Sequence, residues 1–174
     1  MKTINEKYKM PVTPLAKKEA IVQGDKYRFT VLTDRMIRIE YNENGIFEDR
    51  ATQVVVNRDF EVPEFKVKKD DEKIEIITEG MSLTYYTGRK FTANSLFANF
   101  KGANALAWYT WHYGDGNKAN LKGTARTLDN VDGECELEDG ILSRKHFTQI
   151  DDSNSLLLEE NRALAIYLYS KCNN

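Results

Sequence analysis

Tyr27-Arg28-Phe29-Thr30-Val31-Leu32-Thr33-Asp34-Arg35-Met36-Ile37-Arg38-Ile39-Glu40-Tyr41 is the stretch that decides the fold. Tyr27, Phe29 and Val31 alternate with Arg28, Thr30 and Leu32. After a turn at Thr33-Asp34-Arg35, Ile37, Ile39 and Tyr41 alternate with Arg38 and Glu40. A period of two places successive side chains on opposite faces of a strand, so the stretch predicts a half-buried β-hairpin. The same signature recurs outward from it. Thr52-Gln53-Val54-Val55-Val56 is short and β-branched, and Phe65 and Val67 lead into a charged turn. Ile74 and Ile76, then Met81, Leu83 and Tyr85 after Gly80, alternate again. Phe91, Leu96, Phe97 and Phe100 continue the strands, and Leu156 to Leu158 and Ala163 to Tyr169 add two apolar runs, the second open to strand or short helix. Helical periodicity is almost absent, and turn signals separate strands about every ten residues, so the expected class is all-β, an antiparallel β-sandwich with little helix. Residues 1–24, with Pro11 and Pro14 and no period, predict an irregular lead-in along a sheet edge. Residues 25–160 predict the sandwich domain, with no boundary inside it, and residues 161–174 a divergent tail.

Composition narrows the function. A chain of 174 residues, 41% hydrophobic and 30% charged, is a globular domain able to bury roughly two thirds of its unfolded surface. The formal net charge is −2, with basic and acidic residues interspersed, which excludes the basic field that nucleic-acid binding requires. The run Lys68-Lys69-Asp70-Asp71-Glu72-Lys73 predicts a solvated hairpin tip. Cys135 and Cys172 have no C-x-x-C spacing and predict free thiols in a reducing compartment. No apolar run reaches the length of a membrane span, and the first residues lack an apolar signal core, so the expected location is the cytoplasm, without a membrane partner.

From Asn120 to Ser153 the pattern changes. Thr124, Arg126, Thr127, Asp129 and Asp132 crowd between Gly123 and Gly133 in a polar loop too long for a simple hairpin, and glycine suits the sharp turns at either end. A loop of this length in a compact domain is either functional or a solvated spacer. Trp108 and Trp111 lie close to His112, Tyr113 and Gly114, and such rings stack on sugars, on other chains or in the core.

Reactive constellations are scarce. His112 and His146 are the only histidines and share no ligand spacing, so no metal or other cofactor is implied. Asp129-Asn130-Val131-Asp132-Gly133 fails as a calcium loop because Leu128 stands where the first carboxylate ligand belongs. Gly114-Asp115-Gly116 lacks the setting of a phosphate cradle and predicts a turn. Ser143 and Ser153 have no nucleophile-elbow context. Asp151 and Asp152 are neighbours that a strand would point to opposite faces, unlike the convergent pair of a glycosidase, and they predict a turn instead.

Five segments carry a family resemblance. Residues 32–41, residues 47–58, Trp-His-Tyr-Gly at 111–114, Asn-Leu-Lys-Gly-Thr-Ala-Arg-Thr-Leu-Asp at 120–129, and Gly-Ile-Leu-Ser-Arg-Lys-His-Phe-Thr-Gln-Ile-Asp-Asp-Ser at 140–153 resemble, in order, the N-terminal domain of bacterial glycoside hydrolase family 31, the α-glucosidase and α-xylosidase group. The resemblance implies a galactose-mutarotase-like β-sandwich that precedes a (β/α)₈ barrel bearing both catalytic aspartates, while this chain stops before such a barrel. It implies a non-catalytic role: bracing the barrel and completing a pocket for an α-linked oligosaccharide with a loop at Gly123 to Asp129. By position, Arg126, Thr127 and Asp129 are the expected sugar-contacting groups; Trp111 is a further candidate, as a ring able to stack on a sugar. Past Leu158 the sequence departs from the family's linker. Two other readings stay open, an independent carbohydrate-binding module and a self-associating domain with no sugar role, a homo-oligomer in that case.

Overall fold

The computed structural model describes residues 11–101, 108–117, 119–123 and 132–158; the apolar run Ala163 to Tyr169 and the rest of the tail lie outside the described residues. These residues are almost wholly β, in antiparallel sheets, with a single 3₁₀ turn at Lys18–Ala20. The described residues group into two compact units, residues 11–65 with 151–158, and Lys66–Ile150.

In the first unit, β1 (Ile21–Gln23), β2 (Tyr27–Thr33) and β3 (Met36–Tyr41) form a sheet in that order. The β2–β3 hairpin pairs Phe29 with Ile39 and Val31 with Ile37, with a register shift before Thr33 meets Met36. The lead-in is therefore irregular only in part, since its last residues are the edge strand β1, with Ile21 opposite Thr30.

β3 is half-buried, but β2 is buried on both faces rather than one. Arg28 and Thr30 are as buried as Tyr27, Phe29 and Val31. Arg28 tolerates this because every arm of its guanidinium has an acceptor: Nε donates to Glu40 Oε2 at 2.6 Å, Nη1 to Asp49 Oδ1 at 2.6 Å, and Nη2 to Glu40 Oε1 and the Glu48 carbonyl at 3.0 Å each. Arg38 adds bonds to Glu40 Oε1 and the Glu48 carbonyl at 2.9 Å, and Arg50 grips both Glu48 oxygens at 2.7 Å. Such a network is neutral to modestly favourable when complete, but removing one partner strands a charge at a cost of about 3–5 kcal/mol.

The β-branched run after residue 51 does not form the strand its composition suggests. Only β4 (Ala51–Thr52) pairs, with β10 (Leu157–Leu158). The Thr52 hydroxyl accepts the Val55 N–H at 2.8 Å while the Thr52 N–H reaches the Val55 carbonyl at 3.0 Å, so the run is spent on a turn that leaves Val54 exposed.

The second unit is a five-stranded meander, β5 (Phe65–Lys69), β6 (Lys73–Thr78), β7 (Met81–Tyr86), β8 (Leu96–Lys101) and β9 (Trp108–His112), in chain order. Residues directly opposite one another share a face. Ile76, Leu83, Ala98 and Trp111 thus form one buried row across β6 to β9, and Ile74, Tyr85 and Leu96 a second. Each full burial of such a side chain contributes about 1.5–3 kcal/mol. The charged hairpin tip between β5 and β6 is closed by Asp70, whose Oδ1 accepts the Glu72 and Lys73 N–H groups at 2.9 Å.

Candidate functional site

After β9 the chain turns at Gly114, where φ is +88°, and Asp115 Oδ2 accepts the His112 N–H at 2.9 Å. The polar stretch that follows is organised by two asparagines. Asn117 Nδ2 donates to Asp139 Oδ2 at 2.9 Å and to the Gln149 carbonyl at 3.1 Å. Asn120 Nδ2 donates to the Gly140 carbonyl at 2.7 Å and to Thr148 Oγ1 at 3.1 Å, while its Oδ1 accepts the N–H groups of Lys122 at 2.7 Å and Gly140 at 2.9 Å. All four hydrogen-bonding positions of one amide are thereby used.

Backbone bonds from Leu121 N–H to the Leu142 carbonyl at 2.9 Å, Gly123 N–H to the Glu138 carbonyl at 2.7 Å and Arg144 N–H to the Ala119 carbonyl at 2.9 Å complete a clamp between residues 117–123 and 138–149. The approach is close. A Cβ on Gly140 would meet the Lys122 carbonyl oxygen at 2.5 Å, so glycine is required there.

Strain gathers in this clamp. Lys122 at φ 68° and His146 at φ 63° are the non-glycine residues of left-handed conformation among the described residues. Held strain of this kind concentrates at binding and catalytic loops, because only surroundings that over-determine a backbone can keep it there. Lys122 Nζ bonds Asp139 Oδ1 at 2.6 Å, and that bond, followed by the one from Asn117, holds the Asp139 carboxyl below its ordinary pKa.

The clamp also carries an apolar rim. Leu121, Ile141, Leu142 and Ile150 are 51%, 75%, 64% and 56% exposed. Leu121 and Leu142 are fixed side by side by the backbone bond between them.

Of the residues singled out in the sequence, Arg126, Thr127 and Asp129 lie outside the described residues. Trp111 is only 8% exposed and ends a core row. Its Nε1 donates to Gln149 Oε1 at 2.8 Å, which ties the clamp to the sheet, and its ring meets Tyr113 edge-on. The structure therefore places Trp111 beneath the loop rather than on its surface. Asp151 Oδ1 accepts the Ser153 N–H at 3.0 Å and Asp152 Oδ2 accepts the Thr52 hydroxyl at 3.1 Å, so both carboxylates serve local structure. Cys135 is a free thiol. Among the described residues no group of three or more His, Cys, Asp or Glu side chains could hold a metal ion, and no helix is long and apolar enough to cross a membrane.

Sequence reasoning located the stretch but missed the residues that shape it: Asn117, Asn120, Lys122, His146 and Gln149. Asparagine and glutamine carry no periodicity, so the only available signal was the excess length of a polar segment between two glycines.

No protein-family model matches the chain, and no curated protein matches it.

Proposed function

We propose that the chain is a non-catalytic, galactose-mutarotase-like N-terminal domain of a family 31 α-glucosidase-type glycoside hydrolase, working in the cytoplasm. Its task is to brace a catalytic barrel and to complete the barrel's pocket for an α-linked oligosaccharide. The observation that carries this reading is the clamp: a long polar segment fixed by every bonding position of Asn120, holding two strained residues and presenting Leu121, Ile141 and Leu142 to the outside. A solvated spacer has no use for such fixation, whereas a surface that docks on another body needs it.

In this reading the aliphatic rim packs on the barrel, and Arg126, Thr127 and Asp129 contribute hydrogen bonds to the sugar. Trp111 positions the loop from below through Gln149. The chemistry itself belongs to the barrel, since an acid and a nucleophile must face each other across the glycosidic bond, and Asp151 and Asp152 are engaged elsewhere. The exposed rim also supports self-association when no barrel covers it.

The reading frame immediately downstream of the codon for Asn174 tests the proposal. A frame encoding a family 31 barrel supports it. Downstream genes with no glycoside hydrolase among them would leave the carbohydrate-binding module or the self-associating domain as the better account.

A further inference from the structure

Residues 119–123 and 138–144 of the clamp run antiparallel. They are tied by the bridge of Asn120 to Ser143 and by the backbone bonds that join Gly123 to Glu138, Leu121 to Leu142 and Arg144 to Ala119. This ladder fixes an order of exposed side chains along its length. Glu138 stands at one end, Leu121, Ile141 and Leu142 occupy the middle, and Arg144 and Lys145 stand at the other end.

The acidic end continues ahead of Glu138. Glu134, Glu136 and Glu138 are exposed while Cys135 and Leu137 between them are half-buried, the two-residue alternation of an extended chain. Among the described residues, neither these three carboxylates nor the Arg144 and Lys145 side chains are drawn into an ion pair. Lys122 and Asp139, by contrast, neutralise each other at 2.6 Å. The free charges of the two ends are held apart by the ladder and cannot satisfy one another within the chain.

A row that is acidic at one end, aliphatic in the middle and basic at the other is complementary to itself. A two-fold axis through the middle sets two copies antiparallel, aliphatic on aliphatic, and brings each basic end against the other copy's acidic end. An exposed apolar patch alone names no partner, but this arrangement of charge does. A nucleic acid or an anionic bilayer would be drawn to Arg144 and Lys145 yet repelled by the three glutamates beside the same rim.

We propose that this face binds a second copy of the chain in an isologous dimer. The aliphatic rim forms its centre, and Arg144 and Lys145 of each copy lie against the acidic stretch 134–138 of the other. The proposal shares with the functional reading the premise that the clamp is a docking face, and needs no barrel. With so small an aliphatic centre the association belongs to the weak, transient class, and charge sets its specificity. Each charged contact occurs twice by symmetry, so reversing one end of the row acts at both ends of the interface.

The test is sedimentation of the full chain over a concentration series, beside two variants. Arg144→Glu with Lys145→Glu makes the row acidic at both ends, and Glu136→Lys with Glu138→Lys makes it basic at both ends. Each variant alone should dimerise at least about tenfold more weakly than the natural chain, because like charges then meet twice. Mixed in equal amounts, the two should recover a dimer of about the natural strength, since every acidic end again faces a basic one. Raising salt from about 0.1 M to about 1 M, which shortens the screening length from about 10 Å to about 3 Å, should weaken the natural dimer. A natural chain still monomeric at about 1 mM, where even weak specific association shows, overturns the proposal and leaves the barrel reading to its own test of activity. A dimer indifferent to salt overturns it too, and neither of these arms needs a variant to fold. So does a dimer that survives both charge reversals, or a mixture of the two folded variants that stays monomeric.

Discussion

Replacing Asn120 by alanine should open the clamp without unfolding the sheet beneath it. Four hydrogen bonds disappear with the amide. At about 1 kcal/mol each the ceiling is about 4 kcal/mol. Water can reach the Lys122 N–H, since Lys122 is exposed, and can partly replace the bond to the Thr148 hydroxyl. The loss then falls mainly on the Gly140 N–H and carbonyl, which face the closest backbone approach in the loop, and comes to about 2–3 kcal/mol. At a factor of ten per 1.4 kcal/mol, amide hydrogen exchange at Gly140 and Gly123 should accelerate about 30- to 150-fold, while the amides of Ile76, Leu83 and Ala98 keep their protection. Exchange measured residue by residue on both proteins reads this directly. Unchanged rates at Gly140 would show that the clamp does not depend on Asn120. Equal acceleration throughout β6 to β9 would show that the clamp is not a local unit but a support of the whole sheet.

Other outcomes follow from the same structure. Ile76→Ala, at a position with no solvent exposure in a core row, should cost about 2–5 kcal/mol, read from the urea midpoint; a loss under 1 kcal/mol would contradict its place in the core. Acid should weaken the first unit through Glu48. The Arg50 guanidinium holds the folded carboxyl below its ordinary value, so its stabilisation is full above the unfolded value of about 4.3 and disappears as pH falls through the lower folded value; a urea midpoint that stays constant from pH 7 to pH 3 would refute this. Ile141→Glu with Leu142→Glu should leave far-ultraviolet circular dichroism unchanged and turn any self-associated form into a monomer by sedimentation, whereas a dimer that survives both changes has its interface elsewhere. The chain alone should release no phenol from an aryl α-glucoside above buffer, and turnover that vanished on mutating Asp151 or Asp152 would reverse the structural role assigned to them.

The fold was legible wherever one face is apolar. Period-two alternation located β2, β3, β6 and β7 closely, because a strand with one buried face must place its apolar residues two apart. It misjudged β2, where Arg28 is polar in sequence yet buried, since alternation alone does not show that its ion-pair partners are Glu40, directly opposite it on β3, and Asp49 beyond the hairpin. It also misjudged the valines after Thr52, where a side-chain bond within the turn outcompetes β propensity. The candidate site was legible only as an anomaly of length. Apart from the bond between Asn120 and the Lys122 N–H, its builders Asn117, Asn120 and Gln149 act through bonds 20 to 38 residues away in sequence, and no local pattern encodes those. Arg58 was invisible for the same reason: nothing around it in sequence marks a guanidinium with two buried nitrogens that find no acceptor among the described residues.

The central claim, that this domain braces a catalytic barrel through its clamped loop, is tested most directly by activity in trans. A family 31 barrel prepared without its own N-terminal domain would be assayed on maltose with and without this chain. The account predicts that the chain raises kcat/KM of the barrel saturably, and that Ile141→Glu with Leu142→Glu abolishes the rise. A barrel whose activity is the same with the chain, without it and with the variant would contradict the account.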